Sequence, residues 1–178
     1  MSPIEVPEAV TFDAAIALTQ SMLSQMEAGE LSPAEIAAAI SGLVKSENGA
    51  RGFFVTYLTD SRSYADNPSP AVVQALRSAP EIVAELLVKN LAMSAAMAVT
   101  HRRNQNQAMA QQSERVRSRT TRLIELIELP CVHERAQRLW QSATTGEGSY
   151  KPFLERWGYD VEQRQVIRQA LAQVIEVD

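Results

Sequence analysis

Apolar residues recur along most of this chain at the three-to-four-residue spacing of an α-helix, not at the alternating spacing of a strand. Phe12, Ile16, Thr19, Met22, Leu23 and Met26 keep that period behind Thr11, which can cap the helix, and Gly29 can end it in the left-handed conformation. Ser32-Pro33-Ala34-Glu35 reads as a capping box with proline at the first helical position. It opens a second helix with Ile36, Ile40, Leu43 and Val44 on one face and a stop expected near Asn48-Gly49. The run GFFVTYLT (52–59) has strand-like composition, but nothing else in the chain offers a partner strand. Phe53, Phe54, Tyr57 and Leu58 share one side of a helix, so a helix is expected there. The run from Asp60 to Pro70, rich in Ser, Asn, Asp and Pro, predicts a loop.

Ser69-Pro70 starts a short helix, and Ser78-Ala79-Pro80-Glu81 reads as a second capping box. From Glu81 to Leu129 there is neither Gly nor Pro. One straight helix of that length would extend about 73 Å. On a helical wheel at about 100° per residue, Leu87, Leu91, Ala98, Met109, Val116, Leu123 and Ile127 form one stripe. Glu85, Lys89, Arg103, Glu114, Glu125 and Glu128 gather on another side. A single register therefore fits both halves and favours a nearly continuous helix, whereas the wholly polar run His101–Gln107 offers a place to break. Beyond Pro130, Val132, Ala136, Leu139 and Ala143 mark a helix that ends at the turn TTGEGS (144–149). A short helix around Phe153–Trp157 ends at Gly158, and Asp160 with Gln163 caps a last helix carrying Val161, Val166, Ile167, Leu171 and Val174 inward. The expected architecture is all-α: a single-domain bundle (11–178) of about seven to nine helices around the apolar Ile82–Val99 helix, with a long helix or helix pair over 81–128. An extended tail, 1–10, precedes it.

Charge changes this picture at one place. The net charge is −4, yet 101–122 holds six Arg against one Glu, while 1–100 holds five Lys/Arg against eleven Asp/Glu and 123–178 six against nine. Glu85 and Lys89 interrupt the most apolar run, which argues for burial in protein over a membrane span. The single Cys131 and the absence of a signal-peptide pattern predict a cytoplasmic protein.

No spacing of residues demands a particular reaction, and neither a catalytic set, a metal set nor a cofactor is expected. Cys131 and His133 point away from one another on a helix, so they do not share a metal or act as thiolate and base. Gly146-Glu147-Gly148-Ser149 lacks the lysine of a phosphate loop. The Arg island is the candidate: Arg115, Arg119 and Arg122 form a ridge with Gln111 beside them, and His101, Arg102 and Arg103 form a second polar group. Arg forks match carboxylate and phosphate, so the ridge could hold an acidic partner helix, a phosphorylated ligand or nucleic-acid backbone. Pairing with acids of the same chain, or solvation beside a helix seam, is the simpler account of the ridge.

The runs ENGARGFFVTYLTD (Glu47–Asp60) and LLVKNLAMSAAMAV (Leu86–Val99) resemble an uncharacterised all-helical family of photosynthetic bacteria, over Leu31–Asp160. The resemblance implies a small bacterial cytosolic protein and brings no catalytic residues. The leading expectation is a non-enzymatic interaction or scaffold protein, a homodimer or the holder of an acidic protein partner. One rival is a helical enzyme or ligand-binding protein whose polar site lies where His101, Arg102 and Arg103 meet Phe53, Phe54 and Tyr57. The other is nucleic-acid binding through the Arg ridge, which no helix-turn-helix signature supports.

Overall fold

The computed structural model describes residues 4–175. The ends of the expected tail and of the expected domain, 1–3 and 176–178, lie outside the described residues. Among those described, the protein is all-α, with nine helices and no strand. They are α1 (Phe12–Glu27), α2 (Pro33–Val44), α3 (Glu47–Thr59), α4 (Pro70–Leu76), α5 (Pro80–Arg103), α6 (Gln107–Ile127), α7 (Pro130–Thr145), α8 (Lys151–Trp157) and α9 (Val161–Ile175). The chain forms two compact units, residues 1–86 and 87–178, whose boundary falls within α5.

In the first unit the helix ends follow local side-chain chemistry. Thr11 Oγ1 accepts from the Ala14 N–H at 3.1 Å. Ser32 and Glu35 make the reciprocal capping box, 3.1 and 3.2 Å. The expected stop at Asn48-Gly49 is displaced: α2 ends at Val44, and Ser46 caps α3 by accepting from the Gly49 N–H at 3.1 Å. Asn48 and Gly49 thus lie inside the first turn of α3, because a good cap two residues upstream outweighs their turn preference. The run 52–59 is helical, and Phe53, Phe54 and Tyr57 are wholly buried. Phe53 stacks on Tyr57 at 5.0 Å and meets Phe54 edge-on at 5.2 Å. Helices α1 and α3 pack together closely because position 52 is glycine: a Cβ there would stand 2.5 Å from Ala15 Cβ and 2.8 Å from the Phe12 carbonyl oxygen. The loop after α3 is held by Arg62, which donates to Asp60 and Glu27, and by Tyr57 Oη donating to the Tyr64 carbonyl at 3.0 Å.

The run 81–128 is a helix pair. At the end of α5 the Asn106 N–H donates to the His101 carbonyl (2.8 Å) and the Gln105 N–H to the Arg102 carbonyl (3.0 Å). With Gln105 at φ +58°, this is a Schellman ending built without glycine. Asn106 then caps α6 by accepting from the Met109 N–H at 3.2 Å. The chain turns here. Twelve residues of straight helix would separate Arg102 and Glu114 by about 18 Å, yet their side chains form an ion pair. A near-continuous helix is therefore not what forms, because the polar run supplies both a terminator and a new cap. The second capping box is also shifted: α5 starts at Pro80, which puts Ala79 at the cap, while Ser78 Oγ donates to the Ala75 carbonyl at 2.6 Å.

Within the second unit α7 and α9 pack along Ala136, Leu139 and Ala143 against Ile167, Ala170, Leu171 and Val174, all buried, and α6 also lies against α9. Asp160 and Gln163 cap α9 reciprocally at 3.0 Å each. Gln163 Nε2 also donates to Thr100 Oγ1 at 2.9 Å, tying the start of α9 to α5. Val161, expected inward, is 81% exposed, because the first residue of α9 precedes the turn that packs. By length and composition α5 could cross a membrane, but 61% of its most apolar window is buried within the protein.

Candidate functional site

From its middle onward helix α6 buries Arg119, Thr120, Leu123, Ile124 and Ile127 on one side, so the opposite side faces outward. On that side an open depression of about 370 Å³ lies along α6, with Gln173 of α9 completing its lining. Its shape follows from residue spacing. Arg117 and Arg122 stand about 140° apart around the helix, so they rise as two flanks. Glu114 and Glu125 lie near the midline between them, about 16 Å apart along the axis, and close the two ends. Ser118 and Thr121, the short side chains, leave the floor low. The groove therefore has cationic sides, anionic ends and a hydroxyl floor.

Several of these groups are already engaged. Glu114 pairs with Arg102 across the α5–α6 turn. Arg122 Nη1 lies 3.5 Å from Glu125 Oε2, with both side chains about half exposed, a weak contact. Thr121 Oγ1 donates to the Arg117 carbonyl at 2.9 Å, which leaves it an acceptor only. Among the described residues, the Arg117 guanidinium, the Ser118 hydroxyl and the Gln173 amide make no hydrogen bond or ion pair. The groove thus combines one wholly uncommitted guanidinium, one loosely committed guanidinium and two uncommitted neutral polar groups. An oxyanion presented to it meets donors on both flanks.

The Arg ridge read from the sequence is split by the fold. Arg122 lies in the groove, Arg115 and Gln111 are exposed on α6, and Arg119 is turned inward at 2% exposure, where it has a partner. Arg119 sits one turn from Leu123 and beside the buried Thr120, so the apolar stripe carries it into the interior. Arg102 and Arg103 are committed within the second unit. Arg103 donates to Asp160 at 2.6 and 3.2 Å and to Glu162 at 3.2 Å, and its own pKa is raised chiefly by the Asp160 bond. That bond, with the Gln163 backbone N–H, holds the Asp160 carboxyl down to about 2. His101 is half-buried at the end of α5. Phe53, Phe54 and Tyr57 form core within the first unit. Among the described residues no group of three or more His, Cys, Asp or Glu could hold a metal ion.

As site residues the sequence pointed to Arg122 of this lining but not to Glu114, Arg117, Ser118, Thr121, Glu125 or Gln173. The spacing E-x-x-R-S-x-x-T-R-x-x-E over 114–125 carried the signal, since it sets six polar residues on one helical face.

A family model matches residues 11–174 of the chain, all of α6 and Gln173 included, under the description Uncharacterised conserved protein UCP020893. The chain belongs to this family. No curated protein and no solved structure matches it. The groove lies wholly inside the family's extent.

Proposed function

We propose that this member of the family works by binding, and that the α6 groove receives an anionic segment of a partner protein. The observation that carries the reading is the pair of flanking guanidiniums, Arg117 and Arg122, over a hydroxyl floor. Arg117 has no intramolecular ion pair among the described residues, and the Arg122 contact with Glu125 is long and exposed, so neither must give up a strong bond to meet a ligand. Arg is suited to the task because its planar fork engages a carboxylate through two parallel hydrogen bonds. The rest of the Arg island supports the proposal indirectly. Arg102 and Arg103 fix the α5–α6 turn and the start of α9, the frame on which the groove is built. The bacterial, cytoplasmic setting expected from the sequence belongs to the same proposal.

The test is a titration of the isotope-labelled protein with a blocked seven-residue serine peptide carrying one central Glu, followed by amide chemical shifts. Shifts should concentrate in 114–125 and around Gln173, weaken as salt is raised, and vanish in the double variant Arg117→Gln/Arg122→Gln. An absence of shifts at millimolar peptide, or shifts that survive the double variant, would reject the reading.

A further inference from the structure

The groove is a charge pattern with two axes, and the long axis has the opposite sign to the short one. Arg117 and Arg122 line the two long sides, while Glu114 and Glu125 stand at the ends, about 16 Å apart. A uniformly acidic segment laid along α6 would satisfy the flanks and be repelled at both ends. The geometry points to a mixed-charge partner segment, extended along α6, in which one Asp or Glu is bracketed by two Lys or Arg. This deepens the anion-binding reading above and rests on it.

Both end carboxylates have capacity left. Glu114 uses Oε1 toward Arg102, and Glu125 presents only Oε2, at 3.5 Å, to Arg122. A carboxylate accepts at about four lone-pair positions, so each end can take a basic side chain without releasing its present neighbour. The spacing of the incoming segment follows from strand geometry. In an extended chain residues i, i+2 and i+4 point to one face, and four steps of about 3.3 Å span about 13 Å. The flexible stems of two Lys cover the remainder of the groove's length. The fitting pattern is therefore basic–x–acidic–x–basic, with the central carboxylate over Ser118, whose hydroxyl can donate, and within reach of the guanidiniums on either side.

A second copy of α6 fits this groove poorly. Antiparallel pairing centred on the floor would put Glu114 opposite Glu125 and Arg117 opposite Arg122, like charge against like. The occupant proposed here is therefore a segment other than α6.

Three blocked seven-residue peptides on a serine background test this against the intact chain by the same amide titration: Lys-x-Glu-x-Lys, Gln-x-Glu-x-Gln and Glu-x-Lys-x-Glu. The first should bind about five- to tenfold more tightly than the second, the effect expected of two exposed ion pairs, and the third should be weakest. In Glu114→Gln/Glu125→Gln the first peptide should fall to the level of the second, with the helical circular dichroism signal unchanged. If the first two bind equally, the bracketed pattern is wrong while the anion reading survives. If none produces shifts in 114–125, the anion reading itself falls. If Glu-x-Lys-x-Glu is tightest, or the free protein sediments as a dimer that Arg122→Glu dissolves, the occupant proposed here is overturned.

Discussion

Asp160 shows how much one residue can be asked to do at a helix start. Its carboxylate accepts from Arg103 and from the Gln163 N–H while its own N–H donates to Gln163 Oε1. These bonds favour the ionised form and hold the pKa down to about 2 from an ordinary 3.8. A depressed folded-state pKa contributes stability that is present above the unfolded value and lost as pH falls through the folded one. Stability linked to Asp160 should therefore decline between about pH 4 and pH 2, and be flat above. Carbon-detected NMR should place the Asp160 midpoint near 2, and Arg103→Gln should raise it toward 3.8. An unchanged midpoint in that variant would mean the helix cap alone sets it. The cap was legible in the sequence as Asp160 followed three residues on by Gln163. The clasp with Arg103 was not, because 57 residues separate the pair and only tertiary placement joins them. The same limit explains Arg119: a wheel places it beside the stripe but does not tell whether the stripe's burial is wide enough to include it.

At the scale of elements, what was legible is what local chemistry decides. The caps at Thr11, Ser32 and Ser69 and the helical face of Phe53, Phe54 and Tyr57 are set by neighbours within one turn, and all are found in the structure. The choice between one helix and two over 81–128 was not decided locally, since an apolar register can continue across a break. The turn that settles it carries a cost. Gln105 is held left-handed at φ +58°, which disfavours a residue with a Cβ by about 1–2 kcal/mol. Gln105→Gly should therefore raise stability by about 1 kcal/mol, seen as a higher denaturant midpoint at unchanged m-value, and Gln105→Val should lower it. Equal stability in all three would show that the backbone relaxes. The α1–α3 contact gives a second check. Gly52→Ala should cost roughly 1–3 kcal/mol by overpacking, and Ala15→Gly in that background should recover part of it, because the nearest clash is with Ala15 Cβ at 2.5 Å. Additive effects would place the strain elsewhere, on the Phe12 carbonyl.

For the whole molecule, the turn at Asn104–Asn106 alters the argument for self-association. A straight helix would carry an apolar stripe longer than a domain of this size can cover, since a 178-residue globule has a radius of gyration of roughly 16 Å. That surplus, the stripe reaching from Leu87 through Met109 and Val116 to Ile127, was the reason to expect a homodimer. In the folded chain Leu87, Leu91, Ala98, Leu123 and Ile127 are buried, Val116 is half-buried, and Met109, at 40% exposed, is what remains of the stripe at the surface. A seam reduced to one methionine and part of a valine offers far less than the ~800 Å² per partner that a stable interface buries. The chain should therefore sediment as a 19.6 kDa monomer at about 100 µM. Two positions of the stripe should also separate. Leu123→Ala removes a fully buried side chain and should cost about 2–5 kcal/mol, whereas Met109→Ala should leave the denaturant midpoint within about 0.5 kcal/mol of the parent. A concentration-dependent dimer that Met109→Asp abolishes, without loss of helix content, would restore the self-association view and place its interface on the exposed edge of α6.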